Sequence, residues 1–310
     1  MTDPESRNPF ALPGAEKPRA GRYDINGCRL YAEVRGTGPA ILIIGACSDD
    51  AEMFAPIAER LSGFTVVTFD LRGTLRSSSS DGWPCGGAQH ADDAAELIRS
   101  LGLGGAHVFG ASAGGIVALQ LALRHADLVR RVLVFEPGYF QHSESGQALA
   151  ARAGANVDRH LAAHPGDFAG AMAALSQAVQ VARSGDEQAP DTSGLLDAPE
   201  GLEWYAARGA ALAENFIRGD LPLTAETVDP AALAGSGADI RFACGDRSHP
   251  VFRGIASELA RIRRRPGSTD PERPDLLDGV GHMVYFAPEP VAAYIRDRCA
   301  WRVSPQDQPG

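Results

Sequence analysis

From residue 40 to residue 136 the chain alternates short, unbroken apolar runs with stretches in which apolar residues recur at helical spacing. Ala40-Ile41-Leu42-Ile43-Ile44 and Phe64-Thr65-Val66-Val67-Thr68-Phe69 are too short for helices and read as strands buried on both faces. An amphipathic helix over residues 51–61 separates them. A second helix over 88–101 carries Ala91, Ala94, Ala95, Leu97 and Ile98 on one side. Val108-Phe109 then breaks at Gly110-Ala111-Ser112-Ala113-Gly114, a helix follows through Ile116, Leu119, Leu121 and Leu123, and another apolar strand spans Val129–Phe135. Strand and helix in alternation predict a parallel sheet covered by helices on both faces.

The flanking patterns complete the outline. Residues 1–20 are polar, charged and Pro-rich and predict a mobile tail. Tyr23 to Ile25 and Cys28 to Val34 read as a hairpin, because Asn26-Gly27 suits a two-residue type I′ turn. Between 138 and 237 the strand signal disappears. Helical periods over 148–161, 168–181 and 202–217, with a Gly/Asp/Pro-rich run at 185–199, predict a helical cap inserted over the carboxyl edge of the sheet. The sheet pattern returns at Ile240 to Cys244. A helix over 251–264, a charged Pro-rich loop at 265–274, a weak strand at Leu276-Leu277 and a last helix over 290–301 follow, and 303–310 predicts a disordered end. The expected organisation is a core of 21–137 and 238–302, interrupted by the cap.

Composition narrows the function. With 310 residues and 44% hydrophobic content, one large α/β domain with an insertion can bury its own core. A formal net charge of −10 repels a phosphate backbone, so nucleic acid is not an expected partner. No apolar stretch approaches bilayer length and the N-terminus lacks the basic and apolar regions of a secretion signal, so the expectation is a cytoplasmic protein with no membrane partner. The five cysteines, Cys28, Cys47, Cys85, Cys244 and Cys299, are scattered and include no C-x-x-C pair, which indicates neither a disulfide framework nor a zinc site. No metal or cofactor is expected, and self-association as a homodimer is left open.

Gly110-Ala111-Ser112-Ala113-Gly114 places a serine at a strand-to-helix apex, where only small neighbours let strand and helix approach, and where the helix N-terminus faces whatever the serine attacks. The segment resembles the nucleophile elbow of the α/β-hydrolase superfamily. Asp70-Leu71-Arg72-Gly73-Thr74-Leu75-Arg76-Ser77 is similar to the Asp-x-Arg-Gly-x-Gly-x-Ser turn of that superfamily, with Leu75 in place of the second Gly. The resemblance spans roughly residues 22–301 and implies an α/β-hydrolase fold. It implies Ser112 as nucleophile and, after the last strand, His282 of Gly281-His282-Met283 as base, since a serine hydroxyl needs a base to become nucleophilic. Of the other histidines, His125 and His107 read as structural, while His249 and the cap residues His142, His160 and His164 remain candidate substrate contacts.

Two residues compete to orient His282. Most superfamily members carry the acid in a Gly-x-x-Asp pattern after the strand at 240–244. Here the chain reads Gly245-Asp246-Arg247-Ser248, so Asp246 would have to serve from a shifted turn. Glu136 ends the strand after the elbow and lies at the same sheet edge as Ser112. Lactonases of the zearalenone-hydrolysing type have a triad glutamate at a similar place. The oxyanion hole implied by the resemblance combines the N–H of Ala113 with one from the loop after 40–44, Cys47 first and Ala46 as the alternative. Trp204, Tyr139 and Met172 are the expected substrate contacts from the cap region, with Tyr205 and Phe216 nearby. The implied activity is cofactor-independent cleavage of a small apolar or aromatic ester or lactone through an acyl-enzyme. A thioesterase, a carbon–carbon bond hydrolase or a non-hydrolytic cyclase-like scaffold stays open beside it.

Overall fold

The computed structural model describes residues 8–78, 85–184, 203–263 and 273–299. Eight strands form one sheet in the order β1-β2-β4-β3-β5-β6-β7-β8. These are β1 (Arg19–Ile25), β2 (Cys28–Arg35), β3 (Ala40–Ile44), β4 (Thr65–Phe69), β5 (Ala106–Ala111), β6 (Val129–Phe135), β7 (Ile240–Gly245) and β8 (Asp275–Leu277). The first two pair antiparallel, β2 meets β4 antiparallel, and every pairing from β4 to β8 is parallel. The β1–β2 turn has Asn26 and Gly27 at φ 47° and 74°, both in the left-handed region that a type I′ hairpin demands.

The unbroken apolar runs are explained by what covers them. In β3 all five residues are buried; Leu42 and Ile44 face one layer, Ile41 and Ile43 the other. The first layer holds α2 (Gly87–Ser100), α3 (Ala113–Arg124) and α10 (Pro250–Arg263); the second holds α1 (Ala55–Glu59) and α11 (Pro288–Cys299). Helix α1 begins later than periodicity predicts. Asp50 accepts from the N–H groups of Glu52 and Met53 at 2.8 and 3.0 Å, which shapes 51–54 as turns, and Pro56 sits in the first helical turn. Leu75 takes a positive φ of 32° with its side chain exposed, so the position keeps the backbone shape of the glycine it replaces.

Between β6 and β7 lie α4 (Glu144–Ala163), α5 (Phe168–Ser184), α6 (Glu203–Ala211), α7 (Ala213–Asn215), a π turn at Phe216–Asp220, α8 (Leu221–Thr224) and α9 (Pro230–Gly235). Helix α4 is longer than expected because Ser143 caps it, accepting from Gly146 N–H at 3.0 Å. The helix expected over 202–217 is broken into shorter pieces.

The N-terminal stretch also departs from expectation. Instead of a mobile tail to residue 20, β1 starts at Arg19 and Asn8 is buried, donating to Glu52 O and accepting from the Tyr205 hydroxyl at 3.1 Å. Phe10 packs against Tyr205 and Phe286. An apolar Phe and an amide with two partners give this segment enough contacts to hold it. The run at 185–199 and the end at 303–310 lie outside the described residues.

Candidate active site

Three chain segments converge at the carboxyl edge of the sheet. Ser112 follows β5 with φ 54°, a left-handed geometry that a non-glycine residue adopts only under constraint. The constraint is packing of the turn against its surroundings. A side chain on Gly114 would put Cβ 2.2 Å from the Ile44 carbonyl oxygen, and one on Gly110 would put it 2.4 Å from that of Gly114. Glu136 follows β6, also at positive φ (43°), with its N–H bonded to Ala243 O. His282 comes from the loop after β8.

These side chains form one hydrogen-bonded chain. Ser112 Oγ lies 3.1 Å from His282 Nε2, and His282 Nδ1 lies 2.7 Å from Glu136 Oε2. With a carboxylate at Nδ1 the imidazole proton sits on that nitrogen, so Nε2 accepts from the serine hydroxyl. Glu136 is fully buried, and its second oxygen accepts from Gly245 N–H at 2.8 Å. Phe252 stacks on the imidazole with ring centroids 3.9 Å apart and planes 10° apart, which fixes the ring's tilt. Asp246 takes no part in this chain. Its exposed carboxylate accepts from Gly279 N–H at 2.8 Å and ties the β7 turn to the loop that carries His282.

Ser112 opens into a cavity of about 1110 Å³ between sheet edge and cap. Its wall is mostly apolar, with Met172, Leu175, Phe216 and Tyr205 among the cap contributions. Met172, one of the expected substrate contacts, is thus on the wall. Tyr139 and Trp204 are not on the wall. Tyr139 is fully buried in the core, its hydroxyl accepting from Gln120 Nε2 at 3.2 Å, and Trp204 lies 3.9 Å under the Arg208 guanidinium. Arg208 also pairs with Asp50 and Glu52, and this local network holds the indole against α6. His282 is the one histidine on the cavity wall. His142 accepts from Val228 N–H, His249 from Val251 N–H, His160 pairs with Asp167 and packs at a tilt against His164, and none of these four reaches the cavity.

The loop after β3 differs most from expectation. Ala46 N–H donates to Asp49 Oδ2 at 2.9 Å, Cys47 N–H to Asp220 Oδ1 at 2.7 Å and Ser48 N–H to Asp220 Oδ2 at 3.0 Å. Each amide that could face an oxyanion from this loop is thus already spent on a carboxyl group, and Cys47 is wholly buried. Ala113 is different. As the first residue of α3 its N–H has no intrahelical acceptor, and the residue lines the cavity. Desolvation pushes the Asp49 carboxyl up to about 7 and that of Asp220 up to about 6. The Cys47 thiol is pushed well up by burial and by Asp220, to which it hydrogen-bonds, and it lies 3.8 Å from His90 Nε2, so it stays protonated. Asp49, Asp220 and Phe252 are the site residues that sequence reading missed. For Asp220 a signal existed. It falls on the apolar stripe Ala213, Phe216, Ile217, Asp220, where a carboxylate at helical spacing is out of place.

No group of His, Cys, Asp and Glu among the described residues could hold a metal ion. No helix among them is long and apolar enough to cross a membrane.

A predominantly parallel, doubly covered sheet with a strained serine between strand and helix defines an α/β hydrolase. A family model of the alpha/beta hydrolase fold matches residues 39–238, and the chain belongs to that family. It is 35% identical over 121 residues to the uncharacterized hydrolase YraK of Bacillus subtilis, 38% of this chain and 44% of that one. To the 2-(acetamidomethylene)succinate hydrolase of Mesorhizobium japonicum it is 33% identical over 136 residues, covering 43% and 48%. The chain thus spans less than half the length of these curated relatives. Among solved structures it is similar to a thermophilic esterase from Thermogutta terrifontis, with a TM-score of 0.65 and 20% identity over 90% of this chain and 97% of that one. An α/β hydrolase from Sphaerobacter thermophilus has a TM-score of 0.63 at 23% identity over 89% and 99%.

Proposed function

We propose that the chain is a cofactor-independent serine hydrolase that cleaves a carboxylic ester or lactone of an apolar or aromatic small molecule. The observation that carries this reading is the unbroken Ser112–His282–Glu136 hydrogen-bond chain at the mouth of an apolar cavity. Ser112 Oγ attacks the carbonyl while His282 Nε2 takes its proton, and Glu136 holds the imidazole in the tautomer that can accept it and stabilises the imidazolium that results. Negative charge moves onto the carbonyl oxygen, where the Ala113 N–H stands as donor. Collapse expels the alcohol with the proton from His282 and leaves an ester on Ser112. A water molecule, deprotonated by His282, then releases the acid. For a lactone the alcohol stays tethered to the acyl group, so the product is one hydroxy acid.

A fluorophosphonate probe tests the reading. The expected result is a single adduct on Ser112, abolished in Ser112→Ala and greatly slowed in Glu136→Gln. An unmodified Ser112 in a folded protein that hydrolyses short nitrophenyl esters would sink it.

A further inference from the structure

We infer that Asp220 is a built-in occupant of the oxyanion hole, a cap carboxylate that lies on the donors of the β3 loop and must leave them before a substrate carbonyl can use them. The inference rests on the serine-hydrolase reading. A tetrahedral oxyanion needs two or more converging N–H groups to be well stabilised. On the elbow side the Ala113 N–H is available; on the β3 side the N–H groups of Ala46, Cys47 and Ser48 all end on carboxyl oxygens. Two of the three, Cys47 and Ser48, are held by the same group, Asp220, at 2.7 and 3.0 Å.

The two acids differ in how they could let go. Asp49 is three residues from Ala46 and closes a turn within the loop itself, so releasing it means remaking the loop. Asp220 reaches the loop from the cap, from the last position of the π turn Phe216–Asp220 between α7 and α8. A π turn carries one residue more than the α-helical period and recurs where a helix is bent for a functional purpose. Here it turns a carboxylate into an otherwise apolar stretch. The groups facing Asp220 are the Cys47 thiol, the Ser48 hydroxyl, Asp49 and the Tyr285 phenol, and no arginine or lysine pairs with it among the described residues. The Ser48 hydroxyl, the two N–H groups and the Cys47 thiol stabilise its carboxylate, and burial opposes its charge. An oxyanion arriving at those N–H groups would replace one negative charge by another. Both cannot stay, so binding of the carbonyl and departure of Asp220 are one exchange. Asp220 is thus a positioning residue that sets when the second donor becomes available, and it favours acyl groups bulky enough to press on the π turn as they fill the cavity.

The test is the rate of Ser112 modification by a fluorophosphonate in Asp220→Asn against the parent, with melting curves on both. Phosphonylation joins Ser112 Oγ to phosphorus, expels fluoride and passes the hydroxyl proton to His282, and it places a phosphoryl oxygen in the hole. A neutral amide competes less well than a carboxylate for the two N–H groups, since charge-assisted hydrogen bonds are about twice as strong as neutral ones. The expected result is labelling about tenfold faster than the parent, with kcat/KM for p-nitrophenyl butyrate raised in proportion. Asp220→Ala serves if the amide variant does not fold, and the same direction is expected. A slower or unchanged rate in folded variants, with the parent still labelled on Ser112, would overturn the gate alone and leave Asp220 as an anchor for the loop. No labelling of Ser112 in parent or variants would overturn the serine reading, and the gate with it.

Discussion

After β5 and after β3 the chain leaves two adjacent, fully buried strands at the same edge of the sheet, and the two turns touch, with Gly114 pressed onto the carbonyl of Ile44. Hydrogen bonding makes them opposites. The elbow turn hands its hydroxyl to an imidazole that is held by a buried glutamate, so its polar groups form one directed chain with an open end at the cavity. The β3 turn has its polar groups closed off, three successive amides ending on two carboxyls. In the proposed reading, the nucleophilic half of the reaction is assembled at the elbow, and the half that would receive negative charge faces carboxyl groups.

The largest effect that could break this comparison is at the elbow. Ser112→Ala should lower kcat/KM for a nitrophenyl ester by about 10⁴-fold or more while the melting temperature moves little, since the hydroxyl contributes almost no packing. Activity above a hundredth of the parent's would remove the serine from the reaction. Next comes the buried acid. Glu136→Gln keeps an acceptor for Gly245 N–H and leaves the imidazole without its anion, and kcat should fall about 10³- to 10⁴-fold by analogy with the acid-to-amide change in a serine triad. A loss of stability with normal kcat would make Glu136 a strand-end brace.

The filled turn can be probed by pH. Asp49, raised to about 7 from an ordinary 3.8, keeps its proton in the folded state where the unfolded chain has released it, so through this group folding weakens as pH climbs from about 4 to 7. Asp220, raised to about 6, acts in the same sense from about 4 to 6. His90 and His107, lowered by burial to about 4, act oppositely, stabilising the fold as pH rises toward 6.5. Replacing one acid therefore exposes its share. Asp49→Asn should gain stability over the parent by about 1 to 2 kcal/mol between pH 4.5 and 7.5 in denaturant titrations, a figure reduced for the carboxyl's partial exposure to the cavity. A difference that stays flat with pH would show that the acid is ionised throughout and that the turn is an ordinary anionic cap. The smallest expected effect belongs to Asp246→Asn, at most about threefold in kcat, because the side chain braces only the Gly279 N–H of the loop preceding His282. A near-dead Asp246 variant beside an active Glu136→Gln would exchange their roles.

Much of this architecture is written in local pattern. The apolar runs at 40–44, 64–69 and 129–135 and the Asn-Gly turn are strand and hairpin signals because side-chain burial and left-handed φ are decided residue by residue, and they became β3, β4, β6 and the β1–β2 turn. Gly-x-Ser-x-Gly likewise describes a turn that few other residues could make. Chain order put His282 and Glu136 at the right edge of the sheet. It left Asp246 beside them as a rival, since a carboxylate one turn away in sequence looks as near as one that ends a neighbouring strand. Which of them reaches the imidazole is a matter of direction. Glu136 leaves β6 at positive φ and turns inward, while Asp246 turns out to the Gly279 amide. The same limit applies to Tyr139 and Trp204, aromatic and close to the cavity in sequence, whose rings are claimed by the core and by Arg208. The occupancy of the β3 loop was beyond sequence altogether. Asp220 and Cys47 are 173 positions apart, and only the folding of the cap onto the sheet edge decides that a cap carboxylate meets those amides. Local sequence determined where strands end and which serine is strained, because both follow from neighbours in the chain. Tertiary structure alone decided which acid faces the histidine and which carboxylate meets the amides of the β3 loop, because both depend on groups brought together by burying the sheet.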